Sequence, residues 1–295
     1  MADLAAGFAV VAETFAEAST ALNYDLWGLV ASGPEERLNQ TEVTQPAMLA
    51  ADIATWRVWR RLGGPQPDFL AGHSLGEYAA LVAANAIDFV DAVGLVAQRG
   101  KLMQEATPEG TGGMAAVLGL DDEDVRRVCE EVSGGEVVSC ANYNSPGQVV
   151  IAGQAQAVAR ACEAAKVAGA RKAIVLPVSV PSHCALMKPA AEALASALAE
   201  IEIKSPDTTV LHNVDARPRV RPEDIREALV AQLWQPVLWT ATVQRLASEN
   251  VNSLAECGPG RVLAGLCRRI SKELSCAALT DGDVIRSTIT QWSEA

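Results

Sequence analysis

The stretch Gly72–Gly76, which reads Gly-His-Ser-Leu-Gly, limits the possible folds of this chain more than any other segment. It lies between residues 68–71, which predict a short buried strand, and residues 77–84, an alanine-rich run that predicts a helix. A G-x-S-x-G sequence at a strand-to-helix junction is typical of a nucleophile elbow, in which two glycines permit a sharp turn. The hydroxyl of Ser74 would then stand at a helix N-terminus, where backbone N–H groups hold a developing oxyanion. The alternative is a tight turn in which the serine is incidental.

The rest of the first and last thirds of the chain alternates between helical and strand patterns. Residues 5–22, 44–61 and 91–106 predict helices, and Pro46 suits the first turn of the second one. After residue 178, helices are predicted at 184–200, 222–233, 239–248 and 261–274, with strands at 208–213 and 251–256. This alternation predicts an α/β fold with a parallel sheet.

The middle of the chain has a different pattern, which begins after the glycine-rich linker 107–113. Strands are predicted at 114–118, 137–141, 148–152 and 171–176, and helices at 121–133 and 155–168. The order βαββαβ is that of a ferredoxin-like unit. We therefore predict a large domain formed by residues 1–109 and 178–295, with a small domain, 110–177, inserted into it.

Composition and charge exclude several classes of function. The chain of 295 residues is 49% hydrophobic but only 4% aromatic, so its core must consist mainly of alanine, valine and leucine. A net charge of −12 argues against a general nucleic-acid-binding protein. Seven cysteines without C-x-x-C spacing favour reduced thiols and a cytoplasmic location, and none has zinc-site spacing. The apolar runs are too short or too interrupted to cross a membrane, and we expect a monomer.

A serine nucleophile needs a base, and the chain has three histidines. His73 adjoins the serine and should point away across the elbow, whereas His212 lies in an apolar strand. His183 lies where a loop is predicted to become a helix, and the dipole of that helix would keep its ring neutral. We predict that His183 is the general base, with a structural histidine at a helix start as the alternative.

Arg99 is placed on an apolar stripe of its helix, between Leu95 and Leu102. A buried guanidinium needs an anion or a water-filled pocket. It could clamp the carboxylate of a substrate, or it could form an internal ion pair with an acidic residue. The spacing alone leaves both readings open.

Five motifs occur in an order that resembles one family over essentially the whole chain. They are the elbow with Glu77, Gln98-Arg99-Gly100, the segment 142–148 (Asn-Tyr-Asn-Ser-Pro-Gly-Gln), Pro181-Ser182-His183-Cys184 and the segment 256–260 (Glu-Cys-Gly-Pro-Gly). Together they resemble the malonyl-CoA:acyl carrier protein transacylases. The resemblance implies an α/β-hydrolase-like large domain with a ferredoxin-like insert.

The resemblance also implies roles for particular residues. Ser74 would take the malonyl group as an ester, His183 would be its base, and Arg99 would bind the free malonyl carboxylate. Gln232 matches a position whose backbone carbonyl orients the histidine, and the backbone N–H of Leu75 would be an oxyanion donor. The implied partners are malonyl-CoA and acyl carrier protein in fatty acid biosynthesis, with no metal or other cofactor.

One part of the family pattern is missing. The family begins with a buried strand that leads into Gly-Gln-Gly-Ser-Gln, whose glutamine supplies a second oxyanion N–H, whereas this chain begins after that point. We expect the DNA upstream of Met1 to encode this strand in frame. Two rival functions remain at this stage, a serine esterase or thioesterase and a catalytically impaired protein that binds acyl carrier protein.

Overall fold

The computed structural model describes residues 1–108, 110–178 and 180–294, and it has mixed α/β architecture. The helices are α1 (Ala2–Gly7), α2 (Ala9–Leu22), α3 (Leu26–Ser32), α4 (Glu35–Leu38), α5 (Thr41–Arg61), α6 (Gly76–Ala83), α7 (Phe89–Glu105), α8 (Asp122–Val132), α9 (Ala155–Val167), α10 (Lys188–Glu200), α11 (Pro222–Gln232), α12 (Trp239–Ser248), α13 (Val262–Ile270) and α14 (Gly282–Ser293). The strands are β1 (Phe69–Ala71), β2 (Gly112–Leu118), β3 (Val138–Ser145), β4 (Gln148–Gln154), β5 (Lys172–Val175), β6 (Thr209–Leu211), β7 (Ser253–Glu256) and β8 (Ser275–Ala278). A short 3₁₀ helix, Ala185–Met187, precedes α10.

The large part of the fold contains two pairs of parallel strands, and the elbow follows a strand of one pair. β1 pairs with β6, so that Leu70 lies opposite Val210, and β7 pairs with β8. Helices α2, α5, α7 and α10 pack against one another around the main core. That core consists largely of alanine, valine and leucine, as the composition predicts, with Phe15 and Trp59 among its few aromatic side chains.

The middle of the chain forms a separate four-stranded antiparallel sheet with its own core. The strand order is β3-β4-β2-β5, and helices α8 and α9 pack on this sheet. Buried side chains from both layers, including Val117, Ile151 and Val158, fill the space between them. The prediction of an α/β fold with parallel strands is therefore confirmed.

The first two predicted helices have different bounds in the structure. The helix predicted at 5–22 is two helices, α1 and α2, because Phe8 adopts an extended conformation (φ −142°, ψ 109°) that interrupts the helical path. Helix α5 begins at Thr41 rather than at residue 44, since the carbonyl of Gln40 already accepts from the N–H groups of Val43 and Thr44. Pro46 therefore lies inside the helix and not in its first turn, a position at which it supplies no N–H to the preceding turn.

Three further boundaries also differ. The helix predicted at 91–106 begins at Phe89, because the side chain of Asp88 accepts from the N–H of Val90 and caps it. Strand β3 continues to Ser145, beyond the predicted end at 141, because its last residues still pair with β4. The helix predicted at 184–200 starts with the 3₁₀ turn and becomes α-helical only at Lys188.

The C-terminal region departs most from the prediction. The helix expected at 261–274 ends at Ile270, where Ser271 becomes extended (φ −140°) and leads into β8. Neither β8 nor α14, which Asp281 caps, was predicted. In the part of the chain that the structure describes, no helix has the length and apolar character needed to cross a membrane.

Candidate active site

The elbow turns sharply at Ser74, which adopts a left-handed conformation with φ +52°. Such a conformation is uncommon for a residue with a side chain and is concentrated at functional sites. Gly72 is needed for this turn, because a Cβ there would lie 2.0 Å from the carbonyl carbon and oxygen of Gly76. A Cβ at Gly76 would meet no described atom within 4 Å, so the expectation that both glycines relieve crowding is wrong for Gly76.

Ser74 and His183 lie within hydrogen-bond distance although they are far apart in the chain. Ser74 Oγ is 2.8 Å from His183 Nε2, and His183 Nδ1 is 2.7 Å from the backbone oxygen of Gln232. A carbonyl oxygen only accepts hydrogen bonds, so Nδ1 carries the proton and Nε2 presents a lone pair to the serine hydroxyl. His183 also has a positive φ of +61°. This arrangement can remove the proton from Ser74.

The environment of His183 keeps its ring neutral. Burial, with a smaller contribution from the nearby Arg99 cation, lowers the pKa of His183 from 6.5 to about 3, although the hydrogen bond to the Gln232 carbonyl acts in the opposite direction. From the sequence, a helix dipole was the expected cause of the neutral ring. The structure gives a different cause, since desolvation dominates.

Arg99 is 2% exposed and points at the same serine. Its Nη1 donates to Gln45 Oε1 at 2.6 Å, and its Nη2 lies 3.0 Å from Gln232 Oε1 and 3.3 Å from Ser74 Oγ. Among the described residues, Arg99 forms no ion pair with a carboxylate. The internal ion pair that the sequence left open is therefore not formed. The guanidinium is held by neutral acceptors beside the serine, where an incoming anion could meet it.

Gln232 contributes its side chain as well as its backbone, which sequence reasoning missed. The side-chain oxygen accepts from Arg99, and Nε2 donates to the backbone oxygen of Ser74 at 2.9 Å and to Glu77 Oε2 at 3.0 Å. Gln232 is fully buried at the end of α11. It therefore connects the serine, the histidine and the arginine.

Leu75 directly precedes α6 and has helical backbone angles (φ −54°, ψ −38°). Within residues 1–108, 110–178 and 180–294, its N–H donates no hydrogen bond. The following N–H groups, of Gly76 and Glu77, bond to the carbonyls of His73 and Ser74. The position is thus compatible with an oxyanion donor at the helix start.

The other two histidines have partners of their own. His73 Nε2 is 2.8 Å from Asn144 Oδ1, and its ring lies beside Trp239. His212 Nδ1 is 2.7 Å from Glu77 Oε1, and the residue directly follows β6. Sequence reasoning also missed Asn213, whose Oδ1 accepts from the N–H of Ser74 at 2.7 Å. No local sequence pattern links Asn213 to Ser74.

Two further features bear on what the site can bind. No group of three or more histidine, cysteine, aspartate or glutamate side chains in the described ranges is arranged to hold a metal ion. A cavity of about 500 Å³ lies between β1 and β7 and includes Gly72 and Gly76 in its wall. Ser74, His183 and Arg99 do not line it, so the cavity is separate from the Ser74–His183 pair.

Comparison with known proteins identifies the class. Residues 3–280 match a family model described as an acyl transferase domain, so the chain belongs to the acyl transferase domain family and is an acyltransferase. The malonyl CoA-acyl carrier protein transacylase of Salmonella typhimurium is 55% identical over 291 residues, which cover 99% of this chain and 94% of that protein. The enzyme of the same name from Bacillus subtilis is 44% identical over 281 residues, which cover 95% and 88%.

Solved structures agree with these sequence relatives. A malonyl-transacylase in complex with a type II PKS acyl-carrier protein superposes with a TM-score of 0.97 at 56% identity, covering 98% of this chain and 94% of that one. The malonyl CoA-acyl carrier protein transacylase of Coxiella burnetii gives 0.97 at 49% identity, covering 98% and 92%. The resemblance predicted from the five sequence motifs is confirmed.

Proposed function

We propose that this protein transfers the malonyl group from malonyl-CoA to the phosphopantetheine thiol of acyl carrier protein, in fatty acid biosynthesis, through an ester on Ser74. One observation carries the proposal: Ser74 Oγ lies 2.8 Å from a neutral histidine nitrogen and 3.3 Å from the Arg99 guanidinium. The names of the relatives, and the acyl-carrier protein bound to one structural neighbour, support the same donor and acceptor.

The first half-reaction forms the ester. His183 Nε2 takes the hydroxyl proton as Ser74 Oγ attacks the thioester carbonyl carbon of malonyl-CoA. The carbonyl oxygen becomes an oxyanion, which the N–H of Leu75 stabilises. The tetrahedral intermediate then collapses, the carbon–sulfur bond breaks, and the coenzyme A thiolate receives the proton from His183.

The second half-reaction reverses this chemistry with another thiol. His183 takes the proton of the phosphopantetheine thiol, the sulfur attacks the Ser74 ester, and Ser74 Oγ leaves with the proton returned by His183. The Gln232 carbonyl keeps the ring in the required tautomer in both directions. No step requires a metal or a redox cofactor.

Arg99 selects the acyl group. In a malonyl ester the free carboxylate is separated from the carbonyl carbon by one methylene group, so it lies close to the ester oxygen. A guanidinium 3.3 Å from Ser74 Oγ can reach that carboxylate and form charge-assisted hydrogen bonds with it. Its present partners, two glutamine oxygens and the hydroxyl of Ser74, are neutral and hold it in place without neutralising its charge.

We further propose the domain assignment predicted from the sequence. The βαββαβ order, the sheet order β3-β4-β2-β5 and the packing of α8 and α9 support a ferredoxin-like small domain of residues 110–177. The elbow and the parallel strand pairs support an α/β-hydrolase-like large domain of residues 1–109 and 178–295, whose boundary residue Glu109 lies outside the described residues. Seven free thiols support a cytoplasmic location.

A transfer assay that follows every product tests the function. The enzyme is incubated with radiolabelled malonyl-CoA and phosphopantetheinylated acyl carrier protein, and carrier-bound malonyl, protein-bound malonyl and free malonate are separated. We expect label on the carrier protein, and less transfer from acetyl-CoA. Free malonate as the main product would indicate a thioesterase, and the absence of any covalent label would indicate a protein that only binds the carrier.

A further inference from the structure

The side-chain amide of Asn213 spans the turn that presents Ser74. Its Oδ1 accepts from the N–H of Ser74 at 2.7 Å, and its Nδ2 donates to the carbonyl oxygen of Gly72 at 2.7 Å. Asn213 is 1% exposed and follows β6, the strand that pairs with the elbow strand β1. One planar amide therefore fixes the backbone on both sides of the turn.

Asn213 is itself held by a buried carboxylate. Glu77 is fully buried on α6, and its Oε2 accepts from the N–H of Asn213 at 3.0 Å. The same oxygen accepts from Gln232 Nε2, whereas Oε1 accepts from His212 Nδ1 at 2.7 Å. Three donors thus satisfy a carboxylate that would otherwise be costly to bury. Glu77 and His212 take no part in the chemical steps of the proposed reaction.

Both backbone polar groups of Ser74, the N–H and the carbonyl oxygen, are consequently hydrogen-bonded to buried side chains. Its N–H bonds to Asn213 and its carbonyl oxygen to Gln232, and both partners bond to Glu77. These contacts oppose relaxation of the positive φ of Ser74, a conformation that persists only when its surroundings hold it.

We propose that Asn213 is a positioning residue for the nucleophile, with Glu77 and His212 as its support. By fixing the backbone of Ser74, Asn213 keeps Oγ in line with the lone pair of His183 Nε2. The inference rests on the proposed role of Ser74 as nucleophile, but not on the identity of the acyl donor. A loss of this alignment lowers the rate of attack and leaves binding of the acyl donor at Arg99 intact.

The test is the rate of single-turnover acylation of Ser74 in Asn213→Ala, measured over a range of malonyl-CoA concentrations. A misplacement of about 1 Å costs on the order of 100-fold in rate, and we expect a loss of that size at saturating malonyl-CoA. The half-saturating concentration should stay close to that of the wild type. A control variant, Thr55→Ala, removes a buried side-chain hydrogen bond remote from the site and should lower the melting temperature without changing either quantity.

Two shape-conserving variants cover the case in which Asn213→Ala does not fold. Asn213→Asp keeps an acceptor for the N–H of Ser74 but loses the donor to Gly72, so acylation should again fall strongly. Glu77→Gln keeps an oxygen for Asn213 and Gln232, while His212 can exchange tautomers to face the new amide, so most of the rate should remain. Wild-type acylation rates in both Asn213 variants would overturn the proposal, as would a change confined to the half-saturating concentration.

A fluorophosphonate reagent separates this proposal from the proposed function, because it modifies an activated serine without needing a malonyl group. If malonyl-CoA does not acylate the wild type, but fluorophosphonate reacts with Ser74 and does so about 100-fold more slowly in Asn213→Ala, the positioning role stands and the malonyl assignment fails. If both reagents react equally well with wild type and Asn213→Ala, the positioning role fails and the transferase assignment stands.

Discussion

The low pKa of His183 makes the stability of the protein depend on pH in a calculable way. In the folded chain, burial and the Arg99 cation lower this pKa from 6.5 to about 3, whereas the unfolded chain regains the ordinary value. Between these two values the unfolded state binds more protons than the folded state. The sign follows: the contribution of His183 to stability is fully present above pH 6.5 and is lost as the pH falls toward 3.

The size of the effect can be worked out for an accessible range. A pH of about 4.5 is about two units below the ordinary pKa of histidine. Each unit corresponds to about 1.36 kcal/mol of unfolding free energy. Relative to about pH 7.5, the His183 contribution therefore falls by about 3 kcal/mol. Any folded-state pKa below about 4 gives nearly the same figure, because the folded protein remains unprotonated at this site in that range.

The assay is urea unfolding of wild type and His183→Gln at about pH 7.5 and about pH 4.5. The loss of unfolding free energy on acidification should be smaller in His183→Gln by about 3 kcal/mol. Ser74→Ala is the matched control, because it alters the same hydrogen bond without removing a titrating group, and it should behave like the wild type. Equal acid sensitivity of wild type and His183→Gln would refute a buried, neutral His183.

Four further variants probe the site. His183→Ala should slow Ser74 acylation by roughly 10²–10⁴-fold, and an unchanged rate in a stopped-flow acylation assay would contradict its role as base. Arg99→Ala should lower malonyl transfer by about 10–100-fold and leave acetyl transfer unchanged, whereas equal loss with both donors would make it a structural residue. Gly72→Ala should lower the melting temperature strongly, because its Cβ would lie 2.0 Å from the carbonyl of Gly76. Gly76→Ala, whose Cβ meets no described atom within 4 Å, should change it much less.

The sequence predicted the elbow and its order of elements because these features are local. Apolar periodicity and the glycine-serine-glycine spacing depend on residues that are close together in the chain. The prediction failed at β8, whose conformation depends on pairing with β7 rather than on local preference. It also missed α14, although the side chain of Asp281 caps that helix. It also failed at Pro46, because the helix start is set by the carbonyl of Gln40 and not by the proline.

The polar network beneath the elbow lies beyond sequence reasoning for a related reason. Asn213 bonds to the backbone of Ser74 across 139 positions of sequence, and no spacing rule links the two. The cause of the lowered His183 pKa was likewise hidden, because burial is a property of the packed structure and not of the residues beside it. The resemblance named Gln232 for its backbone carbonyl, but the structure adds a side chain that joins Arg99 to the elbow.

The ester on Ser74 is the central claim, and intact-mass analysis with peptide mapping tests it most directly. After exposure to malonyl-CoA in the absence of carrier protein, the wild type should gain the mass of one malonyl group, and fragmentation should place it on the peptide that contains Ser74. Ser74→Ala should gain nothing while keeping a wild-type circular dichroism spectrum. Malonylation of Ser74→Ala, or a malonyl group mapped to any other residue of the wild type, would contradict the account.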